Sequence, residues 1–241
     1  MIIEYDGTHF FGWQRQSHSR SVQGVIEKVL SKILKTTIEI DGSGRTDAGV
    51  HAYGQVASFC YDLPMPLESL KRAMNNYLPT DIRVCHLDYV DKSFHARYSA
   101  TGKSYIYKIS NTKERNVFNA NYSYYYPYEV DDNSIKRAMT QLVGKHDFSS
   151  FKASGSSAQN PIRTIHSIEL KRSGDELEFT FTGDGFLYKM VRLLTAFLLE
   201  VGQGRVDHQT VEKILEYPSR DYTSKVAPAT GLYLKEVYYE K

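Results

Sequence analysis

Asp41-Gly42-Ser43-Gly44-Arg45-Thr46-Asp47-Ala48-Gly49-Val50-His51-Ala52 is the most informative stretch of this chain. Gly42, Gly44 and Gly49 let the backbone take positive φ and lie close to a bound group. Between them stand a cation, a hydroxyl and a carboxylate, at Arg45, Thr46 and Asp47. A β-branched run at 36–40 leads in and a mixed apolar run at 53–61 leads out. That pattern predicts a tight loop held between two strands, where a scaffold usually carries its chemistry. An Asp in a Gly-rich loop also serves as a turn or cap residue, so both roles stay open from this segment alone. The Gly-Lys-Ser/Thr of a nucleotide P-loop is missing.

On the N-terminal side, residues 1–5 predict a strand. The following loop, 6–16, carries Phe10, Phe11, Trp13, Gln14 and Arg15. Aromatics and amides of this kind either cradle a polar, stackable ligand or pack the loop onto its own domain. Residues 21–35 predict an amphipathic helix, with Val22, Val25, Ile26, Val29, Leu30 and Ile33 on one stripe and Lys28, Lys32 and Lys35 opposite. A solvated face is the ordinary role of such a lysine row. Beyond the central loop, 67–77 predicts a second helix ended by Pro79, and 81–90 a strand. The first half therefore reads as strand, helix, strand, loop, strand, helix, strand.

Residues 93–101 read as a crossover into a second half. A strand is expected at 103–110, with Tyr105, Tyr107 and Ile109 on one face, and an aromatic strand at 122–130. Asp131 or Asp132 caps a helix running to Val143, with Gly144 as its stop. The polar segment 146–161 is expected to be the most mobile, and strands follow at 163–171 and 176–182. After Asp184-Gly185-Phe186 a helix begins, marked by Met190, Leu193, Leu194, Phe197, Leu198 and Val201 and closed by Gly202 and Gly204. Lys189 and Arg192 fall at its start, the end where the helix dipole disfavours cations; a cation there suggests an anion to meet it. An RNA-recognition aromatic motif at this point is broken by Lys189. A helix at 207–217 and a strand at 231–239 complete the chain.

With 241 residues, 41% hydrophobic and 24% charged, the composition is that of an ordinary globular protein. A net charge of +2 neither demands nor excludes a nucleic-acid partner, so any basic footprint must be local. Nineteen tyrosines supply apolar rings with polar tips, suited to wet clefts and base stacking. Cys60 and Cys85 are far apart and without a metal-ligand pattern, as expected for reduced structural thiols. No apolar run reaches membrane-spanning length and no signal peptide is visible. A cytoplasmic protein without membrane association is expected.

Taken together, Tyr5-Asp6-Gly7, Phe11-Gly12-Trp13-Gln14, Gly44-Arg45-Thr46-Asp47-Ala48-Gly49-Val50-His51 and Phe94-His95-Ala96-Arg97 resemble the TruA family of tRNA pseudouridine synthases. So do Tyr105 in its Lys103-Ser104-Tyr105-Ile106-Tyr107 setting, 148–151, Met190-Val191-Arg192 and Gly231-Leu232-Tyr233-Leu234. The resemblance spans essentially the whole chain in order. It implies isomerisation of uridine to pseudouridine at positions 38, 39 and/or 40 of the tRNA anticodon stem-loop, with tRNA as partner, no cofactor, no metal and a homodimer. It implies an α+β fold of two RRM-like (ferredoxin-like) halves, 1–92 and 93–241, with mainly antiparallel sheets joined around a central catalytic cleft. By resemblance Asp47 is the catalytic nucleophile or base and Arg192 its basic partner. Tyr105 stacks on the flipped uracil, and Arg45 holds the flipped nucleotide's place or its phosphates. Leu193 stands where relatives commonly carry Asn. A non-catalytic RNA-binding module would need the aromatics but not this carboxylate. A glycoside or nucleoside hydrolase usually needs two working carboxylates, and only Asp47 has a recognisable setting.

Overall fold

The computed structural model describes every residue except Leu63, Ser157, Tyr222 and Lys241. The chain forms two compact units, Met1–Thr101 with Tyr233–Lys241, and Gly102–Leu232. These bounds differ from a division at 92/93, and the last strand belongs to the first unit.

In the first unit, β1 (Ile2–Tyr5) lies between β4 (Ile82–His86) and β3 (His51–Ser58), antiparallel to both. The other edge of β3 is shared. Its start pairs in parallel with β10 (Leu232–Tyr239), Tyr233 opposite His51 and Leu234 opposite Ala52. Its end pairs with β2 (Asp41–Gly42), Asp41 opposite Ser58. Alternation along β1 sends Ile3 and Tyr5 into the core.

Helix α1 (Val22–Leu34) connects β1 to β2, and Ser21 caps it by accepting the Gly24 N–H. Val22, Ile26, Val29 and Leu30 of its apolar stripe are buried and Val25 and Ile33 half-buried, while Gln23 and Glu27 are buried as well. Lys35 ends the helix in the left-handed region at φ 54°. Helix α2 (Leu67–Tyr77) buries Leu70 and Met74, while its Tyr77 ring stays exposed beneath the Lys32 ammonium.

The strand expected from 36–40 does not form; only Asp41–Gly42 joins the sheet. Ile38 and Ile40 are buried, yet their N–H groups bond to the Ser31 hydroxyl (2.9 Å) and the Glu27 carboxylate (3.1 Å). Helix side chains take the place of a strand ladder. At the other side of the loop, β3 begins earlier than expected, at His51.

The second unit is built on the antiparallel order β5 (Ala100–Ser110), β9 (Glu176–Gly183), β8 (Ile162–Ser173) and β7 (Gly144–Asp147). The aromatic segment expected as a strand at 122–130 contributes only β6 (Tyr124–Tyr125), parallel to β5. Further on, Asn111 Nδ2 donates to the carbonyls of Tyr126 and Tyr128, which satisfies that backbone without a ladder.

Helix α3 (Asp132–Leu142) is capped by Asp131, whose carboxylate accepts the N–H groups of Asn133 and Ser134. Gly144 stands directly after the Val143 cap that ends this helix, takes φ 121° and also opens β7. The segment expected to be most mobile thus starts as a strand. It continues through a 3-10 turn, Ser149–Phe151, that buries Phe148 and Phe151. Helix α4 (Met190–Gly202) buries every residue but Arg192 and Glu200, so it forms the core rather than a surface layer. Helix α5 (Thr210–Glu216) is shorter than the 207–217 expected. Both units are mixed α/β with largely antiparallel sheets.

Candidate active site

In the first unit the loop between β2 and β3 is pinned at nearly every second residue. Gln55, fully buried on β3, accepts the Ser43 hydroxyl at 2.6 Å and donates to the Gly44 carbonyl at 2.9 Å. The Ser43 N–H meets the Val56 carbonyl at 2.7 Å. Thr46 shares a hydrogen bond of 2.8 Å with the Tyr5 hydroxyl, and its carbonyl accepts the Trp13 N–H at 3.1 Å. Burial drives the Tyr5 hydroxyl well above its ordinary pKa, partly opposed by hydrogen bonds to Thr46 and Gln55. A turn closes between the Asp47 carbonyl and the Val50 N–H, with Gly49 at φ 78° beside it. With Ser43, Thr46 and Val50 anchored inside, Asp47 is left half-buried and Arg45 exposed.

Of the loop glycines, Gly49 uses its freedom of φ. Gly42 serves a close approach instead, since a Cβ there would collide with the Trp13 indole. That contact also decides the aromatic loop. Phe10 and Trp13 are buried, the Phe10 carbonyl accepts the Gly49 N–H, and Gly12 at φ 90° presses against the Thr46 carbonyl. The loop packs onto its own unit and braces the Asp47 turn; of its large rings only Phe11 is exposed.

His51 begins β3 and is buried. Its Nδ1 accepts the Gly7 N–H at 3.0 Å while Asp6 Oδ1 lies 3.2 Å away. An amide can only donate, so Nδ1 presents its lone pair, and the nearby carboxylate is engaged by the N–H and hydroxyl of Thr8. The His51 ring stacks on Tyr233, which stacks on Tyr53 at centroid distances of 4.6 and 5.0 Å.

The second unit holds the other two predicted residues. Tyr105, half-buried on β5, sits opposite Phe181 and meets the Phe186 ring edge-on at 5.2 Å. Arg192 lies in the first turn of α4. Its Nε donates to the Ala227 carbonyl at 2.7 Å, and its own carbonyl accepts the Ala227 N–H at 3.2 Å. This double link ties the helix start to the segment before β10. It gives the guanidinium a negative partial charge where the helix dipole is unfavourable. The buried Tyr107 hydroxyl donates to the Pro228 carbonyl at 2.7 Å; burial raises its pKa and the Arg192 charge lowers it. Lys189 precedes the helix in the left-handed region at φ 58°, without a side-chain cap. Leu193 is fully buried among the core residues of α4.

Sequence reasoning missed Gln23, Glu27 and Gln55, whose polar side chains are buried and aimed at backbone. Their signal is slight: Gln23 and Glu27 flank the apolar stripe of α1, one residue past Val22 and Ile26, and Gln55 is a lone amide within the apolar run of β3. Cys60 and Cys85 are free and exposed. Among the described residues no cluster of three His, Cys, Asp or Glu side chains fits a metal ion, and no helix is long and apolar enough to cross a membrane.

A family model described as tRNA pseudouridine synthase matches residues 1–99 and 138–240. A protein of Lacticaseibacillus casei named tRNA pseudouridine synthase A is 47% identical over 99% of this chain and 98% of its own. Proteins of the same name from Geobacillus sp. and Acetivibrio thermocellus are 44% and 41% identical, covering 99% of this chain and 96% and 98% of their own.

Proposed function

The chain belongs to the tRNA pseudouridine synthase A family and is an isomerase acting on tRNA uridine, and from that premise we propose that it makes pseudouridine at positions 38, 39 and/or 40 of the anticodon stem-loop with Asp47 as the catalytic group. The observation that carries this reading is the bracing of the Asp47 turn. Gln55, the Tyr5–Thr46 pair and the Trp13 N–H fix its backbone from three sides and leave the carboxylate half-buried. Such fixing is what a reacting group needs, because a small misplacement costs orders of magnitude in rate.

In the reaction the C1′–N1 bond breaks, the uracil turns, and a C1′–C5 bond forms. C5 gives up its proton and N1 gains one, so nothing is oxidised and no water is consumed. One carboxylate at the sugar edge suffices, acting as nucleophile at C1′ or C6 or as base toward the sugar. Tyr105 offers a face for the extruded uracil, returning part of the unstacking cost of a few kcal/mol. Arg192 supplies positive charge to the same nucleotide, and Arg45 fills the vacated place in the stem or meets its phosphates. The reading extends to RRM-like halves, a cytoplasmic homodimer and no cofactor. In its favour, the strand–helix sequence of the first unit gives the order β4-β1-β3-β2 with antiparallel neighbours.

The test is Asp47→Asn, which keeps shape and removes charge and nucleophile. Anticodon stem-loop transcripts incubated with the variant should contain no pseudouridine, with folding and RNA affinity retained. Measurable turnover removes Asp47 from the chemistry, and release of free uracil by the wild type replaces isomerisation with hydrolysis.

A further inference from the structure

Behind Arg45 lies a chain of side-chain amides that the sequence pattern does not announce. We infer that Gln14 and Gln23 are positioning residues that aim the Arg45 guanidinium at the nucleic acid. The inference rests on the substrate-facing role proposed for Arg45.

The direction of every bond in this chain is forced. Glu27, buried on α1, accepts the Arg15 guanidinium at 2.9 Å and the Ile40 N–H at 3.1 Å. Its Oε1 and the Ile40 carbonyl, both acceptors, face Gln23 at 3.0 and 3.1 Å, so the Gln23 amide must present its NH2 there. The Gln23 oxygen then points the other way, where the obligatory donor Arg15 N–H bonds to it at 3.0 Å. Gln14 Nε2 shares that oxygen at 2.9 Å. With its NH2 committed, Gln14 turns its oxygen toward Arg45 and accepts Nε–H at 3.1 Å.

A carboxylate one helix turn deep in α1 thus fixes the orientation of two amides in series. The acceptor that results binds the inner edge of the guanidinium. With Nε held and the residue exposed, the terminal nitrogens of Arg45 remain to serve as a fork, the shape suited to a phosphate or a base edge. Because Gln14 is half-buried and Arg45 exposed, the last link orders a side chain that would otherwise sample many rotamers. Polymer backbones and nucleobases both fit the fork; the chemistry they share is a pair of adjacent acceptors.

The experiment is a double-mutant cycle on pseudouridine formation in a tRNA transcript, under single-turnover conditions at varied enzyme concentration. Gln14→Met keeps length and removes the acceptor, and should slow the reaction about tenfold, the worth of one such bond. In an Arg45→Ala background the same change should have no further effect, and thermal unfolding should be unaltered by it. Gln14→Glu keeps an acceptor toward Arg45 but sets a second one against the Gln23 oxygen, so it should recover only part of the loss, and Gln14→Leu takes the place of the Met variant in the cycle if that one is unstable. Fold-losses that multiply in the double variant overturn the relay while leaving the Arg45 role intact. An Arg45→Ala variant as fast as wild type instead removes the Arg45 role, and the relay with it.

Discussion

Around Asp47 the backbone hangs on side chains: Gln55 holds Ser43 and Gly44, Tyr5 holds Thr46, and the Glu27–Gln23–Gln14 series reaches Arg45. Around Arg192 the reverse is true. Helix α4 is held by rings and branched chains, with Leu194, Phe197 and Leu198 buried along it, and the Arg192 side chain adds a directed bond to the Ala227 carbonyl. Directed bonds resist rotation and slippage, whereas packing resists compression and loss of volume. The two regions should therefore fail in different ways, one in aim and the other in stability.

The largest stability effect is expected where volume is removed. Phe151 is fully buried and meets Phe197 edge-on at 5.5 Å. Phe151→Ala should cost about 3–5 kcal/mol, read as a lower urea midpoint, while the rate per folded molecule stays unchanged. A near-neutral result would mean that the 149–151 turn is not part of the core.

A smaller loss of stability with a larger loss of activity is expected at Gln55. Gln55→Leu leaves the Gly44 carbonyl without its donor and should cost about 2 kcal/mol. Single-turnover pseudouridine formation should drop further than the unfolded fraction explains. If the rate simply follows the folded fraction, polar aim and apolar packing are not distinct in this protein.

The smallest effect is a gain. Lys189 holds φ 58°, where glycine suffers no Cβ clash. Lys189→Gly should raise stability by about 1 kcal/mol, whereas Lys189→Ala should not. Both should weaken tRNA binding and reduce its salt dependence by about one ion. Equal melting temperatures for the two variants would show that the left-handed turn carries no strain.

The same contrast explains what could be read from residues alone. Stripes such as Leu70 and Met74 on α2, or the apolar run of α4, state their environment through periodicity. The Asp47 loop was legible because Gly, Arg, Thr and Asp occur together at close spacing. What stayed hidden depends on partners far along the chain. Residues 36–40 look like a strand, but Ser31 and Glu27 satisfy the N–H groups of Ile38 and Ile40 first. Residues 146–161 are polar by composition, yet two phenylalanines at the start anchor them. Gln23 and Glu27 sit at helix positions next to the apolar stripe, and only the fold reveals the carbonyl of Ile40 waiting there.

The edge of β3 shared by β2 and β10 has a consequence for synthesis. A ribosome delivers β1 and β3 with their helices first, at about 5–20 residues per second, but Tyr233 and Leu234 emerge only after the whole of the second unit. Until they arrive, the first half of β3 offers unpaired backbone groups at His51 and Ala52, the kind of open edge that recruits other strands. The unit that is begun first closes only after the second has been made. A chain interrupted before Tyr233 would therefore leave that edge bare, and proteases and chaperones would meet it as an unsealed sheet.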